Sequence, residues 1–202
     1  MIKLIIFTII AYIIGSIPTG YLIVKIKKNE DIRKIGSGST GATNVKRVLG
    51  KKWFFIVMIL DAIKGAFLVM LSNYFIIKYS SIGLAPVISA VAVLIGHSKS
   101  LFLGFKGGKS VASGVGTILA LCFPVGIIIA IIWSIITYIS KYVSLGSIIV
   151  ISISPILMYL FKQPIAYILY SLLGALYIIW LHRENIIRLL NGNENKVRLF
   201  IF

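Results

Sequence analysis

Long apolar runs dominate the chain, and short basic or glycine-rich segments separate them. A membrane-spanning α-helix needs roughly 20 predominantly apolar residues, and shorter apolar stretches are more typical of buried helices. Each of the clearest runs approaches the spanning length and is bounded by charge, glycine or proline. These runs cover residues 4–26, 53–77, 83–101, 144–161 and 164–182. The pattern therefore predicts a series of membrane helices.

A further apolar run, residues 110–139, allows two interpretations, because it is long for one crossing and contains Pro124 near its middle. One tilted helix would give six crossings, with the basic loop 27–52 and the tail after residue 182 on opposite sides. Two short helices would give seven crossings, with all the basic segments on one side. Basic loops favour the cytoplasmic side. We therefore predict an all-α integral membrane protein with about seven transmembrane helices, the N-terminus outside and the C-terminus inside.

Composition and charge agree with a membrane location. Hydrophobic residues make up 59% of the 202 positions, whereas soluble domains are about 45–50% apolar. Lys and Arg total 21 against 5 Asp and Glu, which gives a net charge of +16. A basic excess can indicate nucleic-acid binding, but here the basic residues lie between apolar runs, where they set topology and meet anionic headgroups. We expect membrane lipid, and no nucleic acid, among the partners.

The domain organisation is predicted to be simple, because the chain has no long linker, low-complexity tract or convincing internal repeat. Residues 1–202 are expected to form a single membrane domain with active-site loops at the cytoplasmic face. The only cysteine, Cys122, lies in an apolar stretch. No intramolecular disulfide and no cysteine-based metal site can therefore form. The largest segment that is not apolar, 27–52, is the first place to look for function.

Glycines at positions 36, 38 and 41 have the G-x-G-x-x-G spacing of a dinucleotide fingerprint, and Asp61 follows 20 positions after the last of them. That fingerprint comes directly after a buried strand. Here the preceding residues, Asn29 to Lys34, are largely charged, and Asp61 lies within an apolar membrane helix. The context therefore excludes a Rossmann site.

The same segment has the composition of a phosphate-binding loop. Its glycines let the backbone approach an anion closely. The hydroxyl groups of Ser37 and Thr43 add hydrogen-bond donors, and Arg47 can bind a phosphate through two parallel hydrogen bonds. A flexible polar loop is the alternative interpretation. Because glycines, hydroxyls and an arginine occur together, the segment favours phosphate binding.

A second glycine-rich segment, residues 104–110, precedes the run 110–139. It is one residue short of a Walker loop, because three residues rather than four separate Gly104 from Gly108. No magnesium-binding acid and no strand accompany it, so nucleotide hydrolysis is not expected. A Gly-Gly-Lys turn at a helix N-terminus still presents N–H groups and positive charge to an anion. Lys109 is a better candidate than Lys106, because it follows the glycines directly.

Other polar residues lie within or beside the apolar runs. Asp61 and Lys64, spaced i, i+3, are costly in lipid and must face the protein or a wet cavity, where they could position a neighbouring loop. His97 allows a structural or a functional interpretation. The segment that begins at His182 could instead be an amphipathic interfacial helix. Neither histidine has the acidic partners or spacing of common zinc motifs, so we predict no metal and no cofactor.

Together these motifs resemble the bacterial acyl-phosphate–glycerol-3-phosphate acyltransferase family over nearly the whole chain. The shared segments, in the family's order, are Gly-Ser-Ile-Pro-Thr-Gly at 15–20, the loop 36–47, Asp61-x-x-Lys64-Gly65, Gly96-His97, residues 105–112 and residues 182–190. The resemblance implies a seven-helix protein of the bacterial plasma membrane, with its active site facing the cytoplasm. It also implies a reaction: a fatty acyl phosphate donates its acyl group to the 1-hydroxyl of sn-glycerol 3-phosphate, which gives lysophosphatidic acid and phosphate.

The resemblance assigns roles by position. The residues that would hold or polarise the substrate phosphates, and that we expect to be catalytic, are Ser37, Arg47, Lys109 and Asn185. Substrate-phosphate binding is expected at Gly36, Gly38, Gly41, Thr43, Asn44, Gly107, Gly108, Ser147 and His182. The resemblance implies that a substrate phosphate assists deprotonation of the hydroxyl. Acyl phosphate is the expected donor, so an upstream enzyme that makes acyl phosphate would be a partner.

Three positions depart from the residues that the family commonly has. Ser39 stands where Asn is common, Ser100 where Pro is common, and Ser110 where Gly is common. These differences bear on the fine geometry of the substrate site and leave the assignment itself unchanged.

Two rival functions fit the sequence less well. A phosphate transporter would need a midplane site and a pathway to both faces, whereas the motifs gather on one face. An acyltransferase that uses acyl-CoA would carry a His-x4-Asp motif. The positions five residues after the two histidines are Phe102 and Ile187, so that motif is absent.

Overall fold

The computed structural model describes residues 2–76 and 83–197, and the regular secondary structure in these two ranges is helical throughout. Short 3-10 turns occur in the connecting loops. The α-helices of these ranges are α1 (Ile2–Gly15), α2 (Thr19–Lys28), α3 (Ala42–Leu49), α4 (Lys51–Ile76), α5 (Leu84–Ser98), α6 (Val111–Leu121), α7 (Phe123–Ser140), α8 (Val143–Leu160), α9 (Ile165–Leu181) and α10 (Arg183–Leu190).

Helices occupy each of the five clear apolar runs, with residue 77 outside the described ranges. Five segments of the described chain are long and apolar enough to cross a bilayer: Ile2–Lys28, Lys51–Phe75, Leu84–Leu103, Phe123–Ser140 and Val143–Leu160. The bent pair of α9 and α10, which meet at 62°, makes a sixth if it is counted as one span. The protein is therefore an all-helical, multi-pass membrane protein.

The run 110–139 is divided into two helices, as the two-helix interpretation predicts. α6 ends at Leu121, Cys122 is extended, and α7 begins at Phe123 with Pro124 in its first turn. Proline is favoured there, because the N–H that it lacks would have no partner within the helix. α6 has only 11 residues, about 17 Å of helix against a hydrocarbon core of about 30 Å. Seven crossings therefore stay a prediction.

Glycines hold the short helix α6 against α4. A Cβ on Gly65 of α4 would collide with the carbonyl of Ser113, and one on Gly116 of α6 would collide with the carbonyl of Ala62. Small residues that bring two backbones into contact are the usual means of packing helices in lipid. The packing fixes α6 against the part of α4 around Ala62 and Gly65.

A separate apolar cluster anchors the polar segment between α2 and α4. Val24 of α2, Ile32 of the loop, Val45 of α3 and Val57 of α4 are all fully buried against one another. Burial of a Val or Ile side chain contributes roughly 1.5–3 kcal/mol. The glycine-rich loop 36–41 is therefore held by packed side chains on both sides, although its own residues are polar.

The predicted orientation can be measured by labelling single cysteines in a Cys122→Ser background. We expect Ile2→Cys to react with a membrane-impermeant maleimide from outside the cell, and Asn193→Cys to react only after the membrane is opened, because the basic segments favour the inner face. The Cys122→Ser parent is the control for background labelling. Reaction of both cysteines from the same side would refute the seven-helix topology.

Candidate active site

A cavity of about 270 Å³ opens where α3, α4, α6, α7, α8 and α10 converge. The four residues expected to be catalytic, Ser37, Arg47, Lys109 and Asn185, all line it. They come from three segments that are far apart in sequence. Of the expected phosphate-binding residues, those that also line the cavity are Gly41, Thr43, Asn44, Ser147 and His182. Those outside the lining are Gly36, Gly38, Gly107 and Gly108.

Asn44 organises the first loop from the inside. The side-chain amide is 1% exposed, and its Nδ2 lies 2.9 Å from the carbonyls of Ile35 and Ser39. Its Oδ1 accepts a hydrogen bond from the backbone N–H of Ser37 at 3.2 Å and from Arg47 at 3.4 Å. The polar atoms of Asn44 are thus occupied by the loop, and they hold the backbone of Ser37 and the side chain of Arg47 in place; a role of Asn44 in phosphate binding stays a prediction.

Two glycines of this loop, Gly36 and Gly38, do not line the cavity. They are needed for the backbone conformation of the loop. Gly36 and Gly38 have φ of 59° and 67°, in the left-handed region that glycine adopts without steric cost. A Cβ on Gly36 would also collide with Oδ1 of Asn44. The glycine-rich pattern of the loop therefore reflects the path of the backbone around Asn44.

The glycine-rich loop 36–41 places the N-terminus of α3 at the cavity. Gly41 caps the helix, and Gly41, Ala42 and Thr43 line the cavity wall. The first N–H groups of a helix have no partner within it, and the helix dipole is positive at that end. Arg47 follows one turn later and lines the same cavity. These groups form a first candidate anion-binding element.

The N-terminus of α6 supplies a second element. Lys109, Ser110 and Val111 line the cavity, and the Lys109 ammonium donates a hydrogen bond to Oδ1 of Asn185. Burial lowers the pKa of Lys109, and the positive charge of nearby Arg188 lowers it further. The arrangement places a second cation, which is partly buried, at a helix start, where an anion is favoured.

Gly107 and Gly108 allow this second loop to approach α5. A Cβ on Gly107 would collide with the carbonyl of His97, and one on Gly108 would collide with its ring at Nε2. The N–H of Gly108 donates to the His97 carbonyl at 3.0 Å. Ser110 adopts a φ of 59°, where glycine would be unstrained, and its hydroxyl donates to the Leu94 carbonyl at 2.8 Å. That bond gives Ser110 a local role at a position where the resemblance leads one to expect glycine.

The opposite wall of the cavity is apolar. It is lined by Phe54, Met58 and Ile59 of α4, Val115 of α6 and Ala130 of α7. Ile59 is 51% exposed and lies on a helix that crosses the membrane, so this wall reaches the surface that faces lipid. One cavity therefore combines two candidate anion-binding elements with an apolar wall.

The residues that would form a metal centre are missing from the described part of the chain. No group of three or more His, Cys, Asp or Glu side chains is placed to hold a metal ion in residues 2–76 and 83–197.

Comparison with known proteins identifies the chain. The family model described as glycerol-3-phosphate acyltransferase matches residues 5–192. The chain belongs to the glycerol-3-phosphate acyltransferase family. A curated glycerol-3-phosphate acyltransferase from Trichormus variabilis is 43% identical over 94% of this chain and 89% of the relative. One from Thermotoga petrophila is 44% identical over 96% of each chain.

Solved structures of a related protein share the fold of this acyltransferase. The crystal structure of PlsY (YgiH), an integral membrane glycerol 3-phosphate acyltransferase, in its glycerol 3-phosphate form aligns with a TM-score of 0.91. The two chains are 34% identical, and the alignment covers 97% of this chain and 96% of PlsY. The lysophosphatidic acid form of PlsY aligns with a TM-score of 0.88 at 32% identity, over 98% of this chain and 96% of PlsY.

The acyltransferase has a polar cluster in its tail that the motif analysis missed. Glu194 accepts hydrogen bonds from Asn185 at 2.7 Å, Arg188 at 2.8 Å and Ser144 at 2.9 Å. Burial would raise the pKa of Glu194, but the hydrogen bonds from Arg188, Asn185 and Ser144 outweigh that effect and lower it. The bond from Asn185 fixes the amide so that its Oδ1 faces Lys109. The signal in the sequence was weak, because Glu194 is one of two acids, with Glu184, in a basic tail.

Ser147 and His182 line the cavity of the acyltransferase, but each also has a partner in its own helix. The Ser147 hydroxyl donates to the carbonyl of Val143 at 2.8 Å and accepts from the Trp133 indole at 3.2 Å. Nδ1 of His182 lies 2.8 Å from the carbonyl of Ile178. These contacts fix both side chains at the cavity wall, and their role toward substrate stays a prediction.

Proposed function

We propose that the protein transfers a fatty acyl group from an acyl phosphate to the 1-hydroxyl of sn-glycerol 3-phosphate, giving lysophosphatidic acid and inorganic phosphate. The observation that carries this proposal is the placement of two cationic elements, at the starts of α3 and α6, in one cavity with an apolar wall. Both substrates carry a phosphate, and one carries an alkyl chain. The glycerol 3-phosphate and lysophosphatidic acid forms of PlsY agree with the proposed acceptor and product.

The reaction requires the protein mainly to stabilise charge on the phosphates and to align the two substrates. An acyl phosphate is a mixed anhydride, so phosphate is already a good leaving group. The acceptor hydroxyl oxygen attacks the carbonyl carbon, the bond from that carbon to the phosphate oxygen breaks, and the hydroxyl proton leaves. Holding the two reactants in line supplies a large part of such a rate enhancement.

Arg47 and Lys109 each have a defined role in this reaction. Arg47 and the start of α3 bind one phosphate, and Lys109 and the start of α6 bind the other. The Lys109 ammonium, directed by Asn185, stabilises charge that grows on the leaving phosphate. Ser37, whose backbone is held by Asn44, adds a donor at the same wall. A substrate phosphate takes the hydroxyl proton.

We further propose that residues 1–202 form one membrane domain of the bacterial plasma membrane, with seven crossings and the cavity facing the cytoplasm. Both phosphate-binding elements lie at ends of helices where basic residues cluster, which favours the inner face. Glycerol 3-phosphate would then come from the aqueous side, whereas the acyl chain would enter from the bilayer along the apolar wall. An enzyme that makes acyl phosphate is the expected upstream partner.

The donor can be tested with purified protein in lipid. We expect turnover with acyl phosphate and none with acyl-CoA as the sole donor, because the cavity has two phosphate-binding elements and the sequence has no His-x4-Asp motif. Activity should be unchanged in EDTA and without ATP. Equal turnover with acyl-CoA, in a preparation free of other enzymes, would refute the choice of donor. Loss of activity in EDTA that a metal restores would refute the metal-free mechanism.

A further inference from the structure

A buried polar cluster lies beneath the two anion-binding elements. Asp61 of α4 is 2% exposed, and its Oδ1 accepts hydrogen bonds at 2.9 Å from the hydroxyl of Thr19 and from the ammonium of Lys64. Nδ1 of His97 lies 3.7 Å from the same oxygen. The Lys64 ammonium also donates to the carbonyl of Ile17 at 3.0 Å. One carboxylate oxygen thus joins α2, α4 and α5.

We propose that Asp61 is a positioning residue that fixes both phosphate-binding loops at once, acting on the Lys109 loop through His97 and on the glycine-rich loop through Thr19. This inference rests on the proposed function and adds a residue to it. A buried carboxylate in a membrane protein is energetically costly unless it is paired, and residues of this kind are usually functional. Lys64 balances the charge of Asp61. The other two neighbours of Asp61, Thr19 and His97, connect it to the two loops.

The link to Lys109 runs through His97. Asp61 faces Nδ1 of the ring, so it favours the orientation in which Nε2 points towards Gly108. The backbone of His97 holds the loop by accepting the N–H of Gly108 at 3.0 Å, and its ring fills the space that a Cβ on Gly108 would need. A shift of the imidazole would therefore displace Gly108 and, with it, the adjacent Lys109.

The link to the first loop runs through the start of α2. Thr19 is the first residue of that helix and is tied to Asp61 by its hydroxyl. The next residue, Gly20, lies against the loop so closely that a Cβ would collide with the carbonyl of Thr40 and approach Val45 at 2.8 Å. Movement of the α2 start would therefore move the segment between Ser39 and Gly41, which leads into α3.

The same geometry argues against a catalytic histidine–aspartate pair. A general base must reach the proton that it removes, at about 2.6–3.2 Å between heavy atoms. Both side chains reach the cavity lining, but Nε2 of His97 packs against Gly108, and His97 is only 8% exposed. Asp61 is neutralised by Lys64 and bonded to Thr19. The cluster is arranged to hold the loops.

The first experiment compares two replacements of Thr19, which is outside the cavity lining. Thr19→Val keeps the shape of the side chain but removes the hydrogen bond, and should lower kcat/KM for glycerol 3-phosphate by about tenfold, the effect typical of a bond to a charged group. Thr19→Ser keeps the hydroxyl and should stay near wild type. Thr8→Val, which removes a hydroxyl that donates only to Leu4 within α1, is the matched control. Wild-type kinetics in folded Thr19→Val would overturn the proposal.

The second experiment is a double-mutant cycle of Asp61→Asn and Lys109→Met. Asp61→Asn alone should lower kcat/KM on the order of 10²-fold, as a misplaced catalytic group does. In the Lys109→Met background it should cost only about tenfold, the part that acts through Thr19 on the glycine-rich loop, because the lysine that it positions through His97 is gone. Losses that multiply in well-folded protein would show that Asp61 acts independently of Lys109, which would overturn the proposal.

The wild-type protein separates this inference from the proposed function. If wild type fails to transfer acyl groups from acyl phosphate, the proposed donor is wrong. If wild type is active and the Thr19 pair does not differ, the positioning role is wrong while the function stands. Glycerol 3-phosphate binding, followed as thermal stabilisation, gives a readout that does not depend on the donor. Thr19→Val should weaken glycerol 3-phosphate binding, and Thr19→Ser should not.

Discussion

Replacement of Lys109 by Met is expected to lower kcat/KM by at least about 10²–10³, the usual cost of removing one preorganised charge donor. Lys109 is a partly buried cation beside the start of α6 and bonds to Asn185, so it adds to the N–H groups of the helix start where charge grows on a phosphate. Methionine keeps the length and the apolar stem, so the protein should still insert and fold. Phosphate release by detergent-purified protein measures the change.

Lys52 provides the matched control for this substitution. It lies at the start of α4 and is exposed, and it is absent from the cavity lining. Lys52→Met removes the same charge from the same face and should leave kcat/KM within several-fold of wild type. An equally damaging Lys52→Met, in protein inserted as well as Lys109→Met, would mean that diffuse surface charge drives the reaction. The assignment of Lys109 would then be wrong.

Arg47→Met is expected to have an effect of similar size, at least about 10²–10³ in kcat/KM. Arg47 lines the cavity one turn into α3, and Asn44 accepts a hydrogen bond from its guanidinium at 3.4 Å. Asn44 thus restrains the planar group while leaving other donors available for a phosphate. The measurement is the same phosphate-release assay, with KM determined separately for each substrate.

Arg47→Lys separates geometry from charge. Lysine keeps the positive charge but cannot reproduce two parallel hydrogen bonds or the restraint by Asn44. We therefore expect poor rescue, with kcat/KM closer to that of Arg47→Met than to wild type. Recovery of most of the activity by Arg47→Lys would mean that a point charge is sufficient, and the proposed two-point contact would be wrong.

Much of the fold follows from the sequence because lipid imposes a strong constraint. Backbone groups in the bilayer must be paired within a helix, so the long apolar runs are helical, although runs 4–26 and 110–139 are each divided between two helices. The break at Cys122 could also be predicted, since Pro124 favours a helix start. The length of α6 was harder to predict. Its 11 residues are stabilised by packing against α4, where Gly65 of α4 and Gly116 of α6 let the two backbones approach. The two helices are distant in sequence.

The candidate site was only partly visible in the sequence. Hydroxyls, glycines and cations indicate phosphate binding by type, and the four expected catalytic residues do meet in one cavity. The sequence could not distinguish glycines that meet a ligand from glycines such as Gly108, which meets His97. It also could not place Glu194 beside Asn185, because that contact depends on the tail folding back against α8.

The most direct test of the account is the stoichiometry of a single reaction. Purified protein in lipid is given acyl phosphate and glycerol 3-phosphate, and inorganic phosphate and lysophosphatidic acid are measured together over time. The account predicts that both appear at equal rates and that both fall together in Lys109→Met. Phosphate release without lysophosphatidic acid, or no release from protein shown to be folded, would contradict acyl transfer from acyl phosphate at this cavity.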